Sequence, residues 1–282
     1  MKGLQNIGNT CYMNAGLQML LHNEDFCKLV LKYVSHSEIL NKIGTFITSY
    51  YDDMTRSINM TEIKNIIEER KDTFIGYAQQ DATEFIIFFL DIIDTEIKKI
   101  NKQSTELNDI FGLKINTRTK CKINSCLNIS NKIETNNFLI LDIENNMTNL
   151  NDIYRNYKSS EKLEGDEKYY CDNCKEKRVA SKRYSVEKWS PHIIMWLKRF
   201  KPVSNRYQKM NQSIDIPLNW RHNINLKGAV IHYGNMNGGH YVYVGMVGTK
   251  WYLYDDNNVS EITNMNKLKD ILCHAYCLYY NH

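Results

Sequence analysis

Apolar positions recur at helical spacing through the first hundred residues and alternate like strands through the last hundred. Met13, Leu17, Leu20 and Leu21 keep the period of one helix face. Ile39, Leu40, Ile43, Phe46 and Ile47 do the same, and Thr61 ahead of Ile63, Ile66 and Ile67 predicts a further capped helix. The run Gly76 to Asp94, GYAQQDATEFIIFFLDIID, predicts a long helix with Phe85, Phe88, Phe89, Ile92 and Ile93 on its apolar face. From Phe111 the period changes. Short apolar segments at Phe138 to Ile143, His192 to Phe200, Ser213 to Leu218, Ala229 to Tyr233, His240 to Val247, Lys250 to Tyr254 and Ala275 to Tyr280 predict strands, the later ones in an antiparallel sheet. Helices first and strands afterwards describe an α+β chain.

A length of 282 residues suits one large domain or two small ones. The hydrophobic share of 43% and charged share of 24% are those of an ordinary globular protein. A net charge of +4 permits an acidic partner without arguing for nucleic acid. The N-terminus lacks the pattern of a secretory signal, and no apolar run reaches the roughly 18 residues that span a bilayer. The expectation is a soluble, intracellular chain, cytoplasmic and/or nuclear, with no membrane partner and with thiols kept reduced. Its eight cysteines then point to catalysis or metal binding rather than to disulfides.

The chemistry concentrates in a few stretches. Cys11 follows a polar, Gly-containing run and opens the first apolar-periodic segment, which puts its thiol at a helix N-terminus. Positive partial charge there lowers a thiol's pKa, and Asn6, five residues earlier, supplies a carboxamide suited to an oxyanion. The plainer reading is a small core cysteine. His240 opens a strand, and a short turn around Gly248 and Thr249 leads to a return strand ending in Asp255 and Asp256. That hairpin brings the Asp255 carboxylate to the His240 imidazole, the base–acid half of a nucleophile triad. Gln79, Gln80, Asp81 and Glu84 crowd the start of the long helix, where acids act as caps and dipole partners; the sharper reading is an acidic rim beside a cleft.

Two cysteine pairs lie between these stretches. Cys171 and Cys174 have the two-residue spacing of a zinc knuckle, and Cys121 and Cys126 stand at the long end of the usual range. Four thiolates on two hairpin tips make a closed, structural Zn2+ site; unrelated surface thiols are the alternative. The basic run Lys175 to Arg183 raises a nucleic-acid zinc module, but paired histidine ligands and a recognition helix are missing, so no nucleic-acid partner is expected.

Together these stretches resemble the Cys, QQD and His boxes of the ubiquitin-specific proteases, in order, with further likeness through PHIIMWLKRF (Pro191 to Phe200), IDIPL (Ile214 to Leu218) and AYCLYY (Ala275 to Tyr280). The resemblance implies a papain-like hand formed by one catalytic domain over residues 1–282. The helical thumb would span about 1–102, the zinc-clipped β fingers mainly 111–200 and the antiparallel palm mainly 201–282. It implies a deubiquitinase that forms a thioester with ubiquitin's last glycine. Cys11 would be the nucleophile, His240 the base, and Asp255 the third member, with Asp256 as the alternative. Asn6 and the Cys11 backbone N–H would make the oxyanion hole. Asp81 and Glu84 match positions that bind the Arg-bearing ubiquitin tail, and Phe200 one that lines its channel. The implied partners are ubiquitin and ubiquitinated proteins, the implied state a monomer, and the chain either a minimal enzyme or an excised domain. A silent ubiquitin-binding scaffold and a protease for another ubiquitin-like modifier are the competing readings.

Overall fold

Thr10 hands the chain into a helix whose every residue is buried, and the rest of the molecule is layered on it. The computed structural model describes residues 2–54, 58–203, 206–235 and 238–282. Six helices come first: α1 Cys11–Leu21, α2 Glu24–Lys32, α3 Glu38–Tyr51, α4 Thr61–Glu68, α5 Ala82–Ile100 and α6 Glu106–Phe111. Helix α1 buries two amides whose N–H groups are satisfied, while Asn14 Oδ1 has no partner among the described residues. Asn14 Nδ2 donates to Leu4 O at 3.1 Å, while Gln18 Nε2 donates to Lys2 O at 2.8 Å and its Oε1 accepts from Tyr50 Oη at 2.7 Å. Gly16 permits close packing against α5, because a Cβ there would stand 2.9 Å from Phe85 and Ile86 side-chain atoms. Side-chain caps start α2 (Asn23), α3 (Ser37) and α5 (Asp81), each taking an N–H that the first helical turn leaves unpaired. Helix α4 departs from expectation. Thr61 is its first residue rather than its cap, and Asn59 Oδ1 takes the Thr61 N–H at 2.8 Å.

The strands run β1 Leu113–Cys121, β2 Ile129–Asn136, β3 Leu139–Asp142, β4 Glu161–Leu163, β5 Tyr169–Cys171, β6 Glu176–Arg178, β7 Ala180–Lys188 and β8 His192–Lys198. They continue as β9 Phe200–Val203, β10 Arg206–Lys209, β11 Asn219–Trp220, β12 Ile224–Asn235, β13 Gly238–Val247, β14 Lys250–Asp255, β15 Asn258–Ile262 and β16 Ala275–Asn281. Helices α7 Leu150–Tyr157 and α8 Met265–Leu272 are set among them. An antiparallel four-stranded sheet, in the order β2-β1-β7-β4, carries the β5–β6 hairpin and the cysteine pairs. The large sheet runs β15-β14-β13-β12-β16-β8-β3 with β11 added beside β12, antiparallel except where β3 meets β8. Strands β3 and β8 therefore join the palm sheet although they lie within the span expected to be mainly fingers.

Strand β16 is buried along nearly its whole length because both faces are covered. Cys277 and Tyr279 face the core shared with the helices, while Leu278 and Tyr280 face a second core with α7 and α8. Ser213–Leu218 is not the predicted strand. Its only ladder contact among the described residues is one bridge, Asp215 to Asn149, and its N–H groups go elsewhere: Ile214 N to Cys273 O, Asp215 N to Thr148 O. Pro217 has no N–H to offer a sheet.

Candidate active site

A left-handed turn delivers the thiol. Gly8 (φ +113°) and Asn9 (φ +51°) reverse the chain ahead of α1, so Cys11 becomes its first residue. The Asn6 carboxamide holds that turn, its Oδ1 accepting from Gly8 N and Thr10 N, both at 3.1 Å. The Cys11 side chain is only 3% exposed. Burial pushes its pKa up, the Tyr241 backbone N–H pulls it back, and the Asp256 charge adds to the rise. This corrects the expectation of a thiol acidified by its helix terminus. Desolvation outweighs the N–H groups of the helix terminus, so a base is needed to draw off the proton.

The candidate base, His240, stands on the palm. Strands β13 and β14 pair from Tyr243 with Tyr254 to Val247 with Lys250; extended by one pair, that register sets Asp255 opposite Val242 and diagonal to His240 on the same face. His240 Nε2 lies 2.6 Å from Asp255 Oδ1. With Nε2–H given to the carboxylate, Nδ1 carries the lone pair that can accept a proton. The next residue turns away. Asp256 adopts φ +50°, and its carboxylate accepts from Asn6 Nδ2 at 2.8 Å and Asn14 Nδ2 at 2.7 Å, while its carbonyl accepts from Leu4 N at 2.8 Å. The two adjacent acids thus serve different partners, Asp255 the histidine and Asp256 the amides beside Cys11. Sequence reading missed Asn14, although an amide inside CYMNAGLQMLL is a signal that something polar lies across from it.

A cleft of about 590 Å³ lies between the start of α5 and the palm, lined by Gln79, Asp81, Glu84, Phe200, His232 and Tyr241 among others. Asp81 has its oxygens occupied. Oδ1 caps α5 through Thr83 N (2.7 Å) and Glu84 N (3.0 Å), and Oδ2 accepts from the Tyr276 hydroxyl. Burial raises the Asp81 pKa against those hydrogen bonds. Glu84 stands exposed at the rim. Phe200 packs edge-on against His232 (5.5 Å) and Tyr276 (5.6 Å), forming an aromatic wall. His232, which sequence reading passed over, is buried there with its pKa lowered to about 4, by desolvation first and then by the Lys209 charge.

The four ribbon cysteines converge. One sulfur from each of Cys121, Cys126, Cys171 and Cys174 lies within 4.8 Å of all the others, and Cys126 Sγ to Cys171 Sγ is 3.6 Å. A tetrahedron of Zn–S bonds of about 2.3 Å sets sulfurs roughly 3.8 Å apart, so the group fits zinc. The longer first spacing closes because Cys126 N donates back to Ile123 O at 2.9 Å, and Lys175 (φ +56°) turns the second knuckle. Asn128 and Asn173 each donate to a cysteine sulfur at 3.4 Å, as suits thiolate character.

Comparison with known proteins gives the family. The family model described as ubiquitin carboxyl-terminal hydrolase matches residues 2–280. The protein named ubiquitin carboxyl-terminal hydrolase 12 of Salmo salar is 28% identical over 305 residues, covering 92% of this chain and 81% of that protein. Among solved structures, the SAGA DUB module of Ubp8, Sgf11, Sus1 and Sgf73 bound to monoubiquitin matches with a TM-score of 0.84 at 26% identity. The same module bound to ubiquitin aldehyde matches with 0.82 at 25%. Both matches cover 100% of this chain and 69% of the other.

Proposed function

The chain belongs to the ubiquitin carboxyl-terminal hydrolase family of cysteine-type deubiquitinases, and on that premise we propose that it cleaves the bond after ubiquitin's C-terminal glycine with Cys11, His240 and Asp255. His240 Nδ1 takes the thiol proton as Cys11 Sγ attacks the glycine carbonyl. The oxyanion that forms accepts hydrogen bonds from the Cys11 backbone N–H and Asn6 Nδ2, whose other N–H is held by Asp256. The imidazolium then protonates the leaving lysine amine, leaving a thioester on Cys11. Water adds to the thioester with His240 again as base, releasing ubiquitin's carboxylate and restoring the thiol.

The observation that carries the proposal is the 2.6 Å pair of His240 and Asp255, on the palm strand that also offers the Tyr241 N–H to the Cys11 sulfur. The adjoining cleft would take the ubiquitin tail, with Glu84 and the Asp81 cap supplying negative charge for its arginines and Phe200 walling the passage. Cys121, Cys126, Cys171 and Cys174 would hold a structural zinc, with no site left open for a water. The test is turnover of ubiquitin carrying a C-terminal amide-linked fluorophore. Wild type should release the fluorophore and Cys11→Ala should not. A wild type that binds ubiquitin without turnover would support a scaffold, and one that binds none would support another modifier.

A further inference from the structure

Gln79 reaches from the thumb to the palm across the mouth of the cleft. Its Nε2 donates to Gly239 O at 2.8 Å and its Oε1 accepts from Gly239 N at 3.0 Å. One carboxamide therefore satisfies both backbone groups of the residue that precedes His240. The location explains why a side chain is needed there. Among the described residues β14 pairs with β13 only from Tyr243 to Val247, so the β13 edge is without a strand partner through Gly239 and Tyr241. On the other edge β13 pairs with the Gly234 end of β12, where glycines at 234, 238 and 239 bring no side-chain packing of their own. The thumb supplies what β14 does not. At Tyr241 the backbone N–H faces the Cys11 sulfur, and two residues earlier Gly239 faces Gln79, with His240 between them.

We propose that Gln79 is a positioning residue: as a one-residue substitute for a neighbouring strand, it fixes the start of β13 and so sets His240 relative to Cys11. The inference rests on the proposed reading of the site. Glycine is required at the clasped position, because a Cβ on Gly239 would stand 2.2 Å from His232 Nε2 and 2.5 Å from Tyr233 O. The strand is thus pressed by His232 on one side and tied by Gln79 on another. Asp255 alone cannot do this job, because it orients the imidazole within the palm, whereas the nucleophile belongs to the thumb.

The test compares wild type with Gln79→Met, which keeps the length and loses both hydrogen bonds, and Gln79→Glu, which keeps the acceptor and sets a carboxylate against the Gly239 carbonyl. Gln79 is exposed, so both variants should melt like wild type. With ubiquitin-amide fluorophore, kcat should fall about tenfold in each while KM stays within about twofold, as for a base displaced from its nucleophile. Alkylation of Cys11 by chloroacetamide, which needs no ubiquitin, should slow in parallel. A raised KM with kcat and alkylation intact would overturn the proposal and make Gln79 a tail-binding residue. Unchanged kinetics and alkylation would overturn it as well. If wild type fails to turn over ubiquitin, the functional reading fails, and alkylation alone decides the clasp: equal rates in wild type and Gln79→Met would overturn it.

Discussion

Asn6 Nδ2 donates to Asp256 Oδ2 at 2.8 Å, tying the turn ahead of the nucleophile to the turn that follows the histidine's acid partner. The two residues are 250 apart in sequence. Through this bond the carboxamide proposed to meet the oxyanion is tied to the palm, and the acid one residue from Asp255 has a partner distinct from the histidine.

Removing the Asp256 carboxylate should therefore act on the transition state. Asp256→Ala removes the acceptor at Asn6 Nδ2 and leaves the buried Asn14 amide without its partner at 2.7 Å. A lost oxyanion donor is worth about 3 kcal/mol, so kcat should fall on the order of a hundredfold with KM little changed. Steady-state kinetics beside Asp255→Ala separates the two acids. Equal KM and kcat in wild type and Asp256→Ala would remove the assigned role.

Arg199 should prove structural. Its buried guanidinium donates to four backbone carbonyls, Ala275 O, Met210 O, Gln212 O and Cys273 O, at 2.7 to 2.9 Å. Desolvation lowers its pKa only to about 10, so it stays charged at neutral pH. Arg199→Met strands those carbonyls and should cost about 3 kcal/mol or more in denaturant unfolding. Arg199→Lys should recover only part, because one ammonium cannot reach all four acceptors.

Metal content should track the ribbon. Purified protein should carry one zinc per chain, and Cys171→Ser should lower both zinc occupancy and the melting temperature. The Cys11 thiol should still alkylate, since the cluster lies apart from the large sheet. Elemental analysis and a melting curve check this together.

Stability should decline on acidification partly through His22. Burial lowers its pKa from 6.5 to about 4, opposed by the Gln18 carbonyl. A neutral ring fits its contacts: Nδ1 to Gln18 O at 2.6 Å and Nε2 to Tyr254 Oη at 2.9 Å. Because the folded pKa is depressed, the unfolded chain binds more protons below pH 6.5, so stability falls from there toward pH 4, by about 3 kcal/mol at most. Unfolding free energies at pH 7 and pH 5 should differ less in His22→Gln than in wild type.

What the sequence carries of this fold is mostly local. The helix opened by Cys11, the long helix behind Asp81 and the hairpin that joins His240 to Asp255 are legible because each follows from a period, a cap or a turn length. The four cysteines are legible because metal spacing is short-range. Ser213–Leu218 misleads because its alternation serves carbonyls and cores outside any ladder. Arg199 carries no local sign of its role, and nothing near it announces four carbonyls from distant turns. The direction of the Cys11 shift is also hidden, since it depends on how deeply α1 is buried. Gln79 and Gly239 are 160 residues apart, and no local pattern joins them.

The central claim is that Cys11 is a nucleophile aimed by this fold at ubiquitin's C-terminus. Ubiquitin bearing a C-terminal thiol-reactive group, incubated with wild type and Cys11→Ala and mapped by peptide mass spectrometry, addresses it directly. One stoichiometric adduct on Cys11 is expected, absent from the variant although seven other cysteines remain. No adduct with wild type, or an adduct on any other cysteine, would contradict it.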